Sequence, residues 1–142
     1  LKYGYTALAF DDTMDADIKG AIAALFLDFG RTDELPEEQF GAVSALAGSG
    51  PAFVAAFAEA MIQAGVQAGI DPETAERLAQ QTVIGTARHM EEFKKDPMTL
   101  AHEVMTPGGS TAAGWQVLED GHLNQLVADT INATMKKNAE FE

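Results

Sequence analysis

From Ser44 to Ile70 the chain runs 27 residues with a single charge, Glu59. A stretch that long and that apolar must cross a bilayer or be covered on most sides by protein. Two features favour cover by protein. Gly48-Ser49-Gly50-Pro51 interrupts the run near its start, and Glu59, Gln63 and Gln67 repeat at i, i+4 and i+8 as one polar ridge. Phe53, Phe57 and Met61 share the same spacing on another face, and Ala52, Ala56, Ala60, Ala64 and Ala68 make a third row. Small side chains in a row form a flat seam along which another helix can approach closely. In a chain of 142 residues, roughly one domain in size, the missing cover implies a second subunit.

The segments around this helix are also legible. Tyr5, Thr6, Leu8 and Phe10 predict a short strand within Leu1 to Phe10. Asp11, Asp12, Asp15 and Asp17 precede a 3.6-residue stripe of Ile18, Ile22, Leu25, Phe26 and Phe29, which predicts a helix ending near Gly30. Arg31 to Leu35 reads as a second strand, and Pro36 opens a helix through Phe40, Val43 and Leu46. Gly69 stops the long helix, and Asp71-Pro72 restarts the chain as N-cap and first turn. That next helix is expected to reach about Lys95, with Ala75, Leu78, Ala79, Thr82, Thr86, Met90 and Phe93 facing inward. Asp96-Pro97 begins a short helix through Leu100, Val104 and Met105. Trp115 with Leu118, and Leu123, Leu126, Val127, Ile131 and Met135, mark two closing helices that turn at Gly121. The fold class is therefore mainly α, with one or two short N-terminal strands, in a homodimer.

Charge narrows the partners. Nine Lys and Arg against 22 Asp and Glu leave a net charge of −13, which repels phosphate backbones and anionic lipid alike. Neither nucleic acid nor a membrane surface is an expected partner. With no cysteine in the sequence, disulfides, thiolate nucleophiles and zinc-thiolate sites are excluded, and the cytoplasm is the expected compartment. His89, His102 and His122 fit no metal-ligand pair at i, i+4 and read as solvated; no metal is expected. Ser49 and Ser110 lack a local base, so a serine nucleophile has no support.

Chemistry concentrates in Thr106-Pro107-Gly108-Gly109-Ser110-Thr111. Pro107 biases Thr106 toward extended backbone, the glycines reach angles closed to other residues, and Ser110 or Thr111 can cap the helix that follows. Such a loop exposes several N–H groups at a helix start, able to hold a small carboxylate without Arg or Lys. A loop with glycines for geometry alone satisfies the same pattern. Gly48-Ser49-Gly50-Pro51 is a second glycine turn into a helix, open to close approach of a backbone or a flat ligand, and no Lys follows it as in a phosphate loop.

Taken together, Ala45-Leu46-Ala47-Gly48-Ser49-Gly50-Pro51-Ala52-Phe53 and, after two helices, Thr106-Pro107-Gly108-Gly109-Ser110-Thr111 resemble the C-terminal half of pyrroline-5-carboxylate reductases. Ala64-Gly65-Val66, Gly69-Ile70, Leu78 to Val83 with Gly85, and Val117-Leu118-Glu119 with Gly121 extend the resemblance over nearly the whole chain. It implies residues 1–35 as the last strands and connecting helix of a dinucleotide-binding domain, and 36–142 as a helical domain for dimerisation and substrate binding, interlocked with its twin. It further implies reduction of the C=N bond of a small cyclic imino acid to proline, with NADPH or NADH as cofactor in a longer chain and none on this chain alone. No strand followed by Gly-x-Gly-x-x-Gly precedes Leu1, so the isolated chain is expected to be inactive.

The site residues carried over by resemblance are Gly109, Ser110 and Thr111 for the substrate carboxylate, with Thr106 nearby. Thr111 is also the hydrogen-bond donor to the imine nitrogen. Gly48, Ser49, Gly50 and Pro51 fall near the nicotinamide edge. Phe53 stands where the family often has Tyr, which removes a hydroxyl. Two other readings stay open on the residues alone: a non-catalytic helical dimerisation module, and a related imine reductase with another substrate.

Overall fold

A computed structural model describes residues 2–140. The expected first strand is β1, Gly4–Leu8, followed by α1, Ala16–Phe26, and β2, Gly30–Glu34. The strands pair in parallel, Gly4 opposite Gly30 and Leu8 opposite Glu34, the arrangement that a crossover helix permits. Glycine is required at both paired ends. A Cβ on Gly30 would strike the Gly4 backbone, and one on Gly4 would lie 2.8 Å from the Phe29 carbonyl oxygen. Asp15 caps α1 by accepting the Asp17 N–H at 2.8 Å. Lys19 ties α1 to β2, with its Nζ 3.1 Å from Glu34 Oε1 and 5.5 Å from the centre of the Phe10 ring.

Two expectations for this segment need correction. α1 stops at Phe26 instead of near Gly30, because the chain must turn before β2; Phe29 N–H donates to the Phe26 carbonyl at 2.9 Å in that turn. The predicted apolar stripe is only partly covered, with Ile22 and Phe26 half-buried while Leu25 is 70% and Phe29 65% exposed. A sheet of two strands is too narrow to cover a three-turn helix.

After Pro36 a 3₁₀ turn, Glu37–Gln39, leads into α2, Phe40–Val43, a π-helical segment, Ser44–Gly48, and then α3, Gly50–Gln67. The expected break at Gly48-Ser49-Gly50-Pro51 is thus a widened helical turn and not a loop. Ser49 N–H donates to the Ser44 carbonyl at 3.0 Å, five residues back. Pro51, second in α3, has no N–H to bond, and the wide turn just before it is where the regular ladder gives way. By length and composition alone the helical run Glu37–Gln67 could cross a membrane. Its polar ridge is ordered, with Gln63 Nε2 donating to Glu59 Oε1 at 2.9 Å.

The remaining helices are α4, Pro72–Glu92, α5, Pro97–Val104, α6, Ser110–Asp120, and α7, Leu123–Asn138. Asp71 caps α4 as expected and Asp96 caps α5, accepting from the amides of Thr74 and Thr99 at 3.0 Å each. α4 ends short of Lys95, because Lys94 turns left-handed at φ 50°. The chain divides into two compact units. One holds the chain through Pro51 and again from Asp129 onward; the other is Ala52–Ala128.

Burial is the unexpected property. In the first unit Ala45, inside the π segment, is fully buried; in the second, Ala75, Ala79 and Leu100 are buried. Among the described residues no side chain larger than leucine joins them. α4 comes close to α3 at Ala75, near the turn that joins them: a Cβ on Gly65 would sit 3.4 Å from Ala75 Cβ. The predicted inward face of α4 is therefore narrower than expected. Ala75 and Ala79 point in, while Leu78 at 53% and Phe93 at 61% remain exposed, as do Thr82 and Thr86. The alanine row Ala52, Ala56, Ala60, Ala64 and Ala68 is exposed throughout.

Candidate functional site

Thr106 to Gly109 forms a hydrogen-bonded turn in the second unit, with Gly109 N–H donating to the Thr106 carbonyl at 2.9 Å. Pro107 fills its second position and Gly108, at φ 73°, its third, the signature of a type II turn. A side chain at 108 would be strained there. Gly109 has no room for one either: a Cβ would collide with Thr106 Oγ1 and lie 3.0 Å from the Thr106 carbonyl oxygen. Both glycines are therefore shape requirements of the turn.

The turn delivers the chain into α6 with Gly109 as N-cap, at φ −79° and ψ 169°, and no side chain caps the helix. This corrects the expectation that Ser110 or Thr111 serves as cap: they are its first two helical residues. The first bonded amide is that of Ala113, donating to the Gly109 carbonyl at 3.2 Å. Among the described residues the N–H groups of Ser110, Thr111 and Ala112, and the hydroxyls of Thr106 and Thr111, meet no protein acceptor. Gly109 differs, since its own N–H closes the turn. No Lys or Arg occurs between Asp96 and Met135, so the positive potential that this segment itself supplies comes from backbone dipoles.

Two neighbours fix the approach to the turn. Leu100 anchors α5 by burial, and Lys95 pairs with Glu103 of the same helix. Hydrogen bonds from the Thr99 hydroxyl and amide hold the Asp96 carboxyl below the usual carboxylate range. Within α6, Trp115 Nε1 donates to Glu119 Oε1 at 2.8 Å.

Gly48, Ser49, Gly50 and Pro51 lie in the first unit, across the π segment and the start of α3. A Cβ on Gly50 would meet nothing within 4 Å, so the backbone there is open to a flat group. The Ser49 N–H is already engaged by Ser44. A contact that sequence reading missed also ends here: Asn138 Nδ2 donates to Ser44 Oγ at 3.2 Å, across 94 residues of sequence. No periodicity announces such a pair.

Elsewhere the chemistry is sparse. A cleft of about 560 Å³ in the first unit is lined by Phe10, Asp11, Asp12, Glu34, Leu35 and Glu37 among others. Its acids would repel a carboxylate, and Asp11 is held ionised, below its usual range, by the Thr13 hydroxyl and amide. His89 is not simply solvated; it packs edge-on against Phe93 with ring centres 4.8 Å apart. Among the described residues no group of His, Asp and Glu is placed to hold a metal ion.

A parallel strand–helix–strand unit continued by helices that leave apolar faces uncovered defines an associating helical domain. The chain belongs to the pyrroline-5-carboxylate reductase dimerisation family, whose pattern it matches over residues 37–141. It is similar to the pyrroline-5-carboxylate reductase of Synechocystis sp., with 36% identity over 138 residues covering 97% of this chain and 52% of that protein. Among solved structures, that of a pyrroline-5-carboxylate reductase from Coxiella burnetii matches with a TM-score of 0.90 at 34% identity, over 94% of this chain and 50% of the other. A pyrroline carboxylate reductase from Plasmodium falciparum with NADP bound matches at 0.78 and 26% identity, over 92% and 54%. The chain spans about half the length of the curated relatives it matches.

Proposed function

We propose that this chain forms the helical dimerisation and substrate-binding part of a cytoplasmic pyrroline-5-carboxylate reductase, which reduces 1-pyrroline-5-carboxylate to proline with NADPH or NADH. The observation that carries the reading is the turn Thr106–Gly109, whose geometry leaves the amides of Ser110, Thr111 and Ala112 free at the start of α6 in a chain of this family. In this reading residues 1–35 continue a dinucleotide-binding domain, and 36–142 carry the site.

The substrate is a small anion with a polarised C=N bond. Its carboxylate accepts hydrogen bonds from the Ser110 and Thr111 amides, where the helix dipole adds favourable potential without a counter-ion. Gly109 keeps the approach clear of a side chain, and the Thr106 hydroxyl offers one further contact. The Thr111 hydroxyl donates a hydrogen bond to the imine nitrogen, which orients the ring and stabilises the nitrogen as it gains electron density. When bound, the nicotinamide supplies the hydride to the imine carbon. Open backbone at Gly50 fits the approach of a flat ring edge, so Gly48 to Pro51 is assigned to that edge. The 142 residues contain no Gly-x-Gly-x-x-Gly turn for the pyrophosphate.

The test is Thr111→Ala in the reductase that contains this chain. Its hydroxyl has no partner among the described residues, so stability should move by less than about 0.5 kcal/mol, while kcat/KM falls at least about tenfold. Equal activity of the variant, or loss of folding in step with turnover, would remove Thr111 from the reaction.

A further inference from the structure

The π segment Ser44–Gly48 holds two observations that the site described so far does not use. It contains Ala45, the one described residue with no exposed surface, and its first residue receives the hydrogen bond from Asn138, the last residue of α7. π turns are uncommon because their wider ring packs less well than a regular helix, and they persist where surrounding contacts hold them. Ser44 is held from two directions. Its carbonyl accepts the Ser49 N–H at 3.0 Å, which defines the wide turn, and its hydroxyl accepts from Asn138 at 3.2 Å. A Cβ on Gly48 would lie 3.8 Å from that same hydroxyl oxygen, so the Ser44 side chain borders the glycine turn directly. All of these groups belong to one compact unit.

We propose that Ser44 and Asn138 are positioning residues: the Asn138 to Ser44 hydrogen bond fixes the register of the π turn and thereby the direction in which Gly48 to Pro51 present their backbone. The inference rests on the reading that this backbone faces the nicotinamide edge. Without the bond, Ser44 is free to join a regular helical turn, the Ser49 amide loses its acceptor, and the segment leading into Pro51 shifts by part of a residue. The last turn of the chain's last helix then governs the geometry of a glycine turn more than ninety residues upstream.

The test joins amide exchange with kinetics on the reductase that contains this chain, comparing Ser44→Ala, Asn138→Ala, their double variant and Ser44→Thr. Loss of one neutral hydrogen bond should speed exchange of the Ser49 amide about fivefold. The double variant should be no faster than either single one, and Ser44→Thr, which keeps the hydroxyl, should match the parent. The KM for the nicotinamide cofactor should rise by a similar factor with the KM for the imino acid unchanged. Faster exchange confined to Ala139, at the end of α7, would make the bond a simple tether of that helix and overturn the proposal. A normal cofactor KM alongside loosened Ser49 would overturn it equally. Absence of any reductase activity in the parent protein would instead refute the functional reading, and the exchange arm would still decide whether Asn138 controls the turn.

Discussion

Gly109→Ala probes the turn most directly, because the structure names the atoms that oppose it. The added methyl would collide with Thr106 Oγ1 and sit 3.0 Å from the Thr106 carbonyl oxygen. The first obstacle is the end of a rotatable side chain; the second is backbone that already accepts the Gly109 N–H at 2.9 Å. Forcing volume into a closed turn costs about 1–3 kcal/mol, and part of that should vanish when the Thr106 oxygen is removed. Thr106 is exposed and its hydroxyl is unbonded, so Thr106→Ala alone should change stability by less than about 0.5 kcal/mol. The double variant should then recover at least about 0.5 kcal/mol of the Gly109→Ala loss, whereas Thr106→Ser combined with Gly109→Ala should recover none. Urea unfolding at one fixed protein concentration measures all of these, since association would otherwise shift the midpoints. Strict additivity of the two alanine changes would refute the argued collision, and an unchanged Gly109→Ala would refute the turn geometry itself.

Three further outcomes follow from other parts of the chain. Because among the described residues only alanines and Leu100 are buried, the melting temperature should fall on serial dilution, as mass action requires when folding needs a second copy; a constant melting temperature over a hundredfold dilution would show that one chain is stable alone. Ala60 lies in the exposed alanine row, and Ala60→Leu should shift a sizing profile toward monomer because a close helix seam cannot take the added volume; an unchanged dimer peak would place the seam elsewhere. The Asp96 carboxyl is lowered from its ordinary 3.8 by the Thr99 hydrogen bonds. A carboxyl lowered in the folded state adds stability above its unfolded value that is lost as pH falls through the folded one, so Asp96→Asn should lower stability at neutral pH and flatten the profile below about pH 4, which acid titration of unfolding by circular dichroism can follow; an unchanged neutral-pH stability with an unchanged acid limb would refute the coupling.

Residues whose message is local were legible from sequence. Asp71-Pro72 and Asp96-Pro97 announced their helices because a capping carboxylate and a proline at N1 act within one turn. Pro107 with two glycines announced a turn, though not which residue would cap α6; Ser110 and Thr111 have the right chemistry for a cap, and the backbone spent that position on Gly109 instead. The inward face of α4 was overdrawn because 3.6-residue spacing marks an apolar face without saying what covers it, and Leu78 and Phe93 are uncovered in one chain. The π turn was invisible, since it depends on where Pro51 falls relative to its ladder and on Asn138 arriving from the far end of the sequence. For the site, the glycine turn was found by type and spacing, while the division of labour between Gly109, whose amide is engaged, and Ser110, whose amide is free, needed coordinates.

The shortage of interior side chains inverts the usual guide to which positions tolerate change. In most domains the hidden residues resist substitution and the wet ones drift. Here the hidden set is mainly alanine, and the bulky apolar residues, among them Val54, Phe57, Leu78 and Ile84, lie on the outside of a single chain. A mutational scan coloured by solvent exposure of one chain would therefore predict freedom at the positions that the proposed association covers, and in that reading variant interpretation for this domain takes two chains as its reference state.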